Sequence, residues 1–134
     1  MDIAFELNKI SNLLMIGISI LVQFIIYPSF KNPDFKNFNS FHLSYTNKMF
    51  YIVAPIMLTE LSSSLILVYK NPSKTYLISL FFLMLVWVLT FLFIVPIHKF
   101  LSTNHSIKKV EKMIRLNGLR TFFWFSKYLI IIFC

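Results

Sequence analysis

The chain has 134 residues, which by length is one domain. It is 57% hydrophobic and 13% charged, with 16 phenylalanines, whereas an ordinary soluble domain is roughly 25% charged. This composition excludes a soluble core and predicts one integral membrane domain. The formal net charge of +8 comes from basic residues placed between apolar segments, a pattern that favours contact with anionic lipid headgroups over nucleic-acid binding. The single cysteine, Cys134, excludes an intramolecular disulfide.

Four apolar segments each approach the ~20 residues that a helix needs to cross a bilayer. The acidic start of the chain lacks the positive region of a signal peptide, so we expect the first segment to be a retained helix. We therefore predict an all-α fold, a four-helix transmembrane bundle in which prolines stop the first and third spans. The predicted spans are residues 10–27, 49–69, 76–95 and 119–134.

The three connections differ in length. A tight turn over residues 70–75 predicts that the second and third spans pack as antiparallel neighbours. The segment from Asp34 to Lys48 begins with a helix-start pattern, so we expect it to run into the second span as one long helix. The segment from Ser106 to Arg115 has apolar residues at helical spacing and predicts a short interfacial helix before the fourth span.

The distribution of lysine and arginine predicts the orientation, because these residues are enriched in cytoplasmic loops. Three lysines (Lys9, Lys70 and Lys74) lie on the side of the two termini, and Lys127 is ambiguous. The side of the two longer connections carries nine basic residues, namely Lys31, Lys36, Lys48, Lys99, Lys108, Lys109, Lys112, Arg115 and Arg120. We therefore expect the longer connections in the cytoplasm and both termini outside.

Polar residues from all four spans converge at the predicted cytoplasmic end of the bundle. We take His42, His98 and Arg120 as candidate catalytic residues. Two imidazoles on separate helices at similar height could clamp a metal or a haem iron, or they could serve as interfacial hydrogen-bonding groups. The third histidine, His105, is expected in a solvated loop. The remaining members of the convergent set are Tyr27, Tyr45, Thr46 and Asn117.

The start of the fourth span carries a second candidate binding surface. Asn117, Arg120 and Trp124 are spaced to share one helix face. Arg120 there could bind a phosphate, a carboxylate or another anionic group, or it could anchor the helix among lipid headgroups. We take Tyr45, Asn117 and Trp124 as candidate substrate-binding residues.

Two ionisable residues lie deep inside the predicted spans, Glu60 in the second and Lys127 in the fourth. A charge at such depth costs a few kcal/mol unless it is paired or neutralised. The similar depths suggest a Glu60–Lys127 pair, and two readings of it stay open. Glu60 could carry protons or ions, or the pair could be structural.

Several short motifs carry a family resemblance. The chain resembles small uncharacterised bacterial four-helix membrane proteins in Tyr27-Pro28-Ser29-Phe30, Phe41-His42 and Ile52-Val53-Ala54-Pro55. It is distantly similar to the anthrone-oxygenase-like family in Val95-Pro96-Ile97-His98 and Asn117-Gly118-Leu119-Arg120-Thr121, although that family usually has Asn at the position of His98. The resemblance implies a four-helix fold, a bacterial cell membrane and a hydrophobic substrate such as a quinone or polyketide-like aromatic.

Three functional hypotheses follow. The first is an enzyme or cofactor-binding protein whose site at the cytoplasmic end takes a hydrophobic small molecule, with the cofactor itself unknown. The second is proton-coupled or ion-coupled transport through Glu60, which needs oligomerisation to enclose a pathway. The third is an assembly subunit of a larger membrane complex. The lipid bilayer is the expected partner in all three, and a homo-oligomer is compatible with each.

Overall fold

The computed structural model describes residues 2–31 and 38–134, and all the regular structure in these ranges is helical. Three of the four long helices begin at a side-chain cap, because Asp2, Ser73 and Ser106 each accept a hydrogen bond from a backbone N–H of the first turn. The four helices are α1 (Ile3–Ser29), α2 (Phe38–Lys70), α3 (Lys74–Leu101) and α4 (Ile107–Phe133).

Three of these helices, α1, α2 and α3, are long and apolar enough to cross a membrane. Large apolar side chains also cover the outside of the bundle, where a soluble protein would place polar residues. The chain therefore has the surface of an integral membrane protein. Examples that are each more than half exposed are Phe24, Phe50, Phe81, Leu92 and Phe122.

The helices are arranged in a ring in chain order. α1 packs along α2 and α4, and α3 packs along α4. α2 and α3 are joined by the short connection 71–73, as the sequence predicts, but they have the sparsest contact of the neighbouring pairs. The bundle is consequently most open along the side between α2 and α3.

The predicted stop at Pro96 is wrong, whereas α1 ends at Ser29, one residue after the predicted stop at Pro28. α1 continues to Ser29 through a π-helical segment at Val22–Ile26, and α3 continues to Leu101 through a second one at Leu89–Ile94. Proline lacks an N–H group and its ring clashes with the preceding turn. A widened turn directly before each proline accommodates the ring without ending the helix.

The predicted long second helix is present over the described residues. α2 runs unbroken from Phe38 to Lys70 with Pro55 inside it. Its expected start at Pro33-Asp34 lies outside the described residues. The helix brings His42 and Glu60 to the buried side of the bundle, and both side chains are fully buried.

The separate interfacial helix predicted from Ser106 to Arg115 is wrong. This segment is the first part of α4, which is continuous from Ile107 to Phe133. Val110 and Met113 are fully buried in an apolar cluster with Phe30 and Leu101. Of the apolar residues that suggested contact with headgroups, Val110 and Ile114 pack on this cluster while Ile107 stays exposed, and no proline separates the segment from the rest of α4.

Candidate functional site

A chain of side-chain hydrogen bonds crosses three helices at the end of the bundle that carries the two longer connections. The Tyr27 hydroxyl lies 3.0 Å from Nε2 of His98, and Nδ1 of His98 lies 2.9 Å from Nε2 of His42. Nδ1 of His42 then lies 3.3 Å from Oγ of Ser102. We call Tyr27, His98, His42 and Ser102 the histidine chain.

The histidine chain has a direction that its last member determines. The Ser102 hydroxyl donates its single proton to the carbonyl oxygen of His98, so its oxygen accepts from Nδ1–H of His42. A neutral imidazole has one donor nitrogen and one acceptor nitrogen. Nε2 of His42 therefore accepts from Nδ1–H of His98, and Nε2 of His98 accepts from the Tyr27 hydroxyl. Each of the four groups donates one proton towards the next.

Aromatic rings enclose the two imidazoles. The His42 and His98 rings are stacked with centroids 5.0 Å apart, and the Phe30 ring meets His42 edge-on at 5.2 Å. The Phe38 ring stacks on the other side of His42 at 5.7 Å, and Tyr45 lies 6.3 Å from His98. These rings separate the imidazoles from the surrounding lipid.

Arg120 is buried one layer deeper in the bundle and contacts only neutral groups. Its Nε and Nη2 atoms donate to Oδ1 of Asn117 at 3.2 and 2.6 Å, and Nη1 donates to the Thr90 hydroxyl at 3.0 Å. The guanidinium carbon lies 5.4 Å from the Trp124 ring centroid, a cation–π distance. Within residues 2–31 and 38–134, no carboxylate forms an ion pair with Arg120.

Asn117 holds Arg120 in place. Its side-chain amide donates to the Ser19 carbonyl at 3.1 Å and to Oε1 of Gln23 at 2.9 Å, so its oxygen is turned towards the guanidinium. Asn117 is fully buried and does not line the adjoining cavity. The substrate-binding role of Asn117 stays a prediction, and its contacts show that it positions Arg120 against α1.

A cavity of about 650 Å³ lies between α2 and α3, where the bundle is most open. Its volume falls within the range of about 300–1,000 Å³ that is typical of small-molecule sites. The walls are mostly apolar. The polar side chains among its lining residues include Tyr27, Tyr45, Thr90, His98, Ser102 and Arg120.

Four of the predicted site residues meet at this cavity, namely His98, Arg120, Tyr45 and Trp124. His42 does not line the cavity but contacts three residues that do, namely His98, Ser102 and Tyr45. The Trp87 side chain also lines the cavity, and its buried indole N–H has no hydrogen-bond partner among the described residues. A buried donor of this kind is uncommon in native structures.

Glu60 and Lys127 form an ion pair on the other side of Trp124, with 2.9 Å between Oε2 and Nζ and both side chains fully buried. The other two N–H groups of Lys127 donate to Oδ1 of Asn8 and of Asn12, at 3.0 and 3.3 Å. Oε1 of Glu60 accepts from the Trp124 indole at 3.0 Å. Both charged groups are therefore fully hydrogen-bonded.

Sequence reasoning missed the amides that complete this pair. Asn8 precedes the predicted first span, and Asn12 was read only as part of an apolar segment. Asn8 also donates to the hydroxyls of Ser63 and Ser64, at 3.0 and 2.6 Å. The signal was present in α1 as a polar stripe at helical spacing, since Asn8, Asn12 and Ser19 are four and seven residues apart.

The hydrogen bonds of His42 and His98 limit how these two residues could bind a metal. All four ring nitrogens of His42 and His98 take part in the histidine chain. A metal or haem iron would have to break the His42–His98 hydrogen bond to be clamped between these rings. The third histidine, His105, contacts the carbonyl oxygen of Phe30 at 2.9 Å and is half-buried. No group of three His, Cys, Asp or Glu residues suited to a metal occurs in the described part of the chain.

No protein-family model, curated protein or solved structure matches this chain.

Proposed function

We propose that α4 crosses the membrane as a fourth span. α4 is less apolar than the other helices because its first turns are rich in charged residues and its later part contains Asn117, Arg120 and Lys127. The later three are all buried inside the bundle. Its outward-facing side chains, including Leu119, Phe122, Phe125, Leu129 and Ile132, are apolar and exposed. A helix with this distribution presents hydrocarbon to lipid on one side and polar groups to protein on the other.

The proposed orientation has both termini outside a bacterial cell membrane and the histidine chain near the cytoplasm, because the basic residues concentrate at that end. Cys134 is exposed and is the single cysteine of the chain. A membrane-impermeant maleimide added to intact spheroplasts is expected to label Cys134 before lysis. Labelling that appears only after lysis would reverse the orientation. The variant Cys134→Ser controls for non-specific labelling.

We infer that the protein binds a hydrophobic molecule carrying an anionic oxygen group in the cavity between α2 and α3. The observation that carries this proposal is the buried Arg120 guanidinium, which lines the cavity and, among residues 2–31 and 38–134, hydrogen-bonds to neutral groups only. An isolated charge is costly in an apolar interior. A carboxylate, phenolate or phosphate on the ligand would supply the counter-charge and accept from the remaining guanidinium N–H groups.

The apolar part of the ligand would occupy the rest of the cavity. Met57, Val53 and Ile94 contribute to its walls, and Phe50 and Phe91 at its edge are exposed to the lipid side. These surroundings favour a molecule that dissolves in the bilayer and reaches the cavity between α2 and α3. Long-chain carboxylic acids and polyketide-like phenols both fit this class, and the latter is the class implied by the anthrone-oxygenase-like resemblance.

The geometry supports transport through Glu60 less well than it supports ligand binding at Arg120. Glu60 and Lys127 satisfy each other and line neither the cavity between α2 and α3 nor the open groove between the start of α1 and the end of α2. A carboxylate that carries protons needs a path to water, so a structural role for this pair accounts better for its contacts. A proton-transfer role of the histidine chain is compatible with ligand binding at Arg120.

The test uses purified protein in nanodiscs and a fluorescent polyene fatty acid, cis-parinaric acid. We expect saturable fluorescence enhancement with the acid and at least tenfold weaker binding of its methyl ester. Arg120→Met should weaken binding of the acid by about 10–100-fold, because hydrogen bonds to charged groups contribute about 1.5–3 kcal/mol. Equal binding of acid and ester would overturn the proposal.

A second variant tests the cavity without touching the polar groups. Ala54 lines the cavity, so Ala54→Trp should fill part of it and abolish binding. Leu65→Trp is the matched control, because Leu65 is half exposed on the outside of the same helix. Nanodiscs of phosphatidylglycerol against phosphatidylcholine distinguish the source of the anion. Loss of fatty-acid binding in phosphatidylglycerol alone would identify the headgroup of an anionic lipid as the ligand of Arg120.

A further inference from the structure

We propose that the ligand is a weak acid which reaches the cavity in its neutral form, and that the histidine chain carries its proton from Tyr27 to Ser102. This inference rests on the proposed function, because it assumes an acidic ligand at Arg120. It narrows the ligand class to carboxylic acids and phenols. It also assigns to Tyr27, His98, His42 and Ser102 a proton-transfer role beyond helix packing.

The ligand reaches the cavity from the lipid between α2 and α3. The cavity edge between α2 and α3 is formed by apolar side chains that are exposed towards the lipid, such as Phe50, Leu58 and Phe91. A carboxylate or phenolate crossing hydrocarbon costs several kcal/mol more than its neutral acid. The molecule that arrives by this route is therefore the neutral acid, whereas a phospholipid phosphate is permanently ionised.

Inside the cavity, the bound acid lies beside Arg120. A guanidinium close to an acidic group favours the ionised form, and Arg120 offers such a charge inside the cavity. The acid must then lose a proton in a place that water reaches poorly. The Tyr27 side chain is buried, lines the cavity and lies close enough to Arg120 to interact with it electrostatically. Its hydroxyl oxygen can accept the proton of an acid bound at Arg120.

The proton then passes from the buried Tyr27 to the partly exposed Ser102, which lies at the end of α3 and also lines the cavity. The acid gives its proton to the Tyr27 oxygen, and the Tyr27 proton moves to Nε2 of His98. The Nδ1 proton of His98 moves to Nε2 of His42, and the Nδ1 proton of His42 moves to the Ser102 oxygen. The former hydroxyl proton of Ser102 breaks its hydrogen bond to the His98 carbonyl oxygen and leaves to water. Each of the four residues ends with as many protons as it began with, so none carries a lasting charge.

The position of Ser102 suits the exit of the proton. Ser102 is the residue after α3, it is partly exposed, and the next residues Thr103 and Asn104 are exposed. The rings of Phe30 and Phe38 pack against His42, and the Tyr45 ring lies beside His98, which lines the cavity. Among residues 2–31 and 38–134, every ring nitrogen of these two histidines is used within the histidine chain, so its hydrogen bonds lead from Tyr27 to Ser102.

The experiment measures binding and proton release together. Stopped-flow mixing of cis-parinaric acid with the protein in weakly buffered neutral-detergent micelles follows polyene fluorescence for binding and an indicator dye for released protons. The pH is set where the probe in empty micelles is mostly protonated. We expect about one proton released per acid bound, and no release with the methyl ester.

Tyr27→Phe and Ser102→Ala each remove one end of the histidine chain and preserve its rings. Both variants are expected to release the proton at least tenfold more slowly than the unmodified protein, with each rate compared at the same amount of bound acid as measured by the polyene fluorescence. Tyr51→Phe is the matched control, because Tyr51 is an exposed tyrosine of α2 outside the cavity. Ser102→Ala keeps the test decisive if Tyr27→Phe fails to fold.

The outcomes separate the two proposals. Failure of the unmodified protein to bind the acid contradicts the proposed function itself. Binding without proton release, or release at an unchanged rate in both Tyr27→Phe and Ser102→Ala, overturns the relay and leaves ligand binding at Arg120 in place. Slowed release in these two variants with an unchanged rate in Tyr51→Phe supports the relay.

Discussion

The Nε2 atom of His42 lies 2.9 Å from the Nδ1 atom of His98, so α2 and α3 are joined by a hydrogen bond between two buried side chains. Elsewhere these two helices have the sparsest contact of the neighbouring pairs, and the cavity occupies the space between them. The imidazole pair therefore closes the bundle at one end of an otherwise open side. Its loss should affect both the stability of the bundle and the width of the cavity.

A double-mutant cycle measures the coupling free energy between His42 and His98. His42→Ala and His98→Ala are each expected to lower the free energy of unfolding by about 1–3 kcal/mol, because each leaves a buried partner unsatisfied. The double variant should lose about 0.5–1.5 kcal/mol less than the sum of the two single losses. Unfolding of the detergent-solubilised protein by a denaturing detergent, followed by circular dichroism, provides the free energies.

The control for this cycle pairs His42 with Ser79, a buried serine of α3 near its opposite end. The effects of His42→Ala and Ser79→Ala should add within about 0.5 kcal/mol, as expected for distant sites. A coupling of the same size in both cycles would mean that the effect is a general loosening of the bundle and not the His42–His98 bond.

Glu60 and Lys127 provide a second prediction about stability. Glu60→Gln is expected to lower the free energy of unfolding by about 3–5 kcal/mol, because it leaves the buried Lys127 charge without its partner. Combining it with Lys127→Met removes both charges and should recover part of that loss. The same unfolding assay measures all three variants.

The pair Glu6–Lys9 is a natural control, since it is an ion pair at 3.2 Å with both side chains about 30% exposed. Glu6→Gln should change the free energy of unfolding by less than about 0.5 kcal/mol, because solvent screens exposed pairs. If Glu60→Gln costs no more than Glu6→Gln, then Glu60 is not held as a carboxylate in a buried pair.

Part of this fold was predictable from hydropathy alone. Four apolar segments give four helices, and the long second helix was expected from the helix-start pattern before it. The extent of α3 beyond Pro96 was not predictable, since a proline in an apolar run ordinarily ends or kinks a helix. The presence of a proline does not show whether a widened turn before it will let the helix continue.

The contacts of the site were harder to predict than its residue types. An extra residue in a helical turn rotates everything after it by roughly 100° about the axis. The π-helical segments therefore set which way Tyr27 and His98 face, and spacing in the sequence does not reveal it. Arg120 and Trp124 were placed on one face correctly because α4 is a regular helix between them.

Gly118 explains how Gln23 reaches Asn117. A side-chain carbon at Gly118 would lie 3.3 Å from Nε2 of Gln23, so a larger residue must displace Gln23. Gly118→Leu is expected to lower the free energy of unfolding by about 1–3 kcal/mol through overpacking. Gly17→Leu is the matched control, because nothing lies within 4 Å of a side-chain carbon added there. Equal effects of the two variants would exclude close packing at Gly118 as the cause.

Thr90 orients the guanidinium of Arg120. The Thr90 hydroxyl accepts from Nη1 of Arg120 and donates to the Val86 carbonyl at 2.8 Å, so α3 fixes one end of the guanidinium while Asn117 of α4 fixes the other. Thr90→Val keeps the side-chain shape and removes the hydroxyl. Its expected effect is a weakening of cis-parinaric acid binding by about three- to tenfold, because a guanidinium held from one side loses its alignment towards the ligand.

Thr90→Ser restores the hydroxyl and should return the affinity to within about twofold of the unmodified protein. The methyl ester serves as the second control, since its weak binding depends on the apolar walls and should be the same in all three proteins. If Thr90→Val weakens the ester as much as the acid, the substitution acts on the shape of the cavity. If it weakens the acid alone and Thr90→Ser restores it, the α3–α4 contact at Arg120 is part of the mechanism by which the cavity recognises an anionic group.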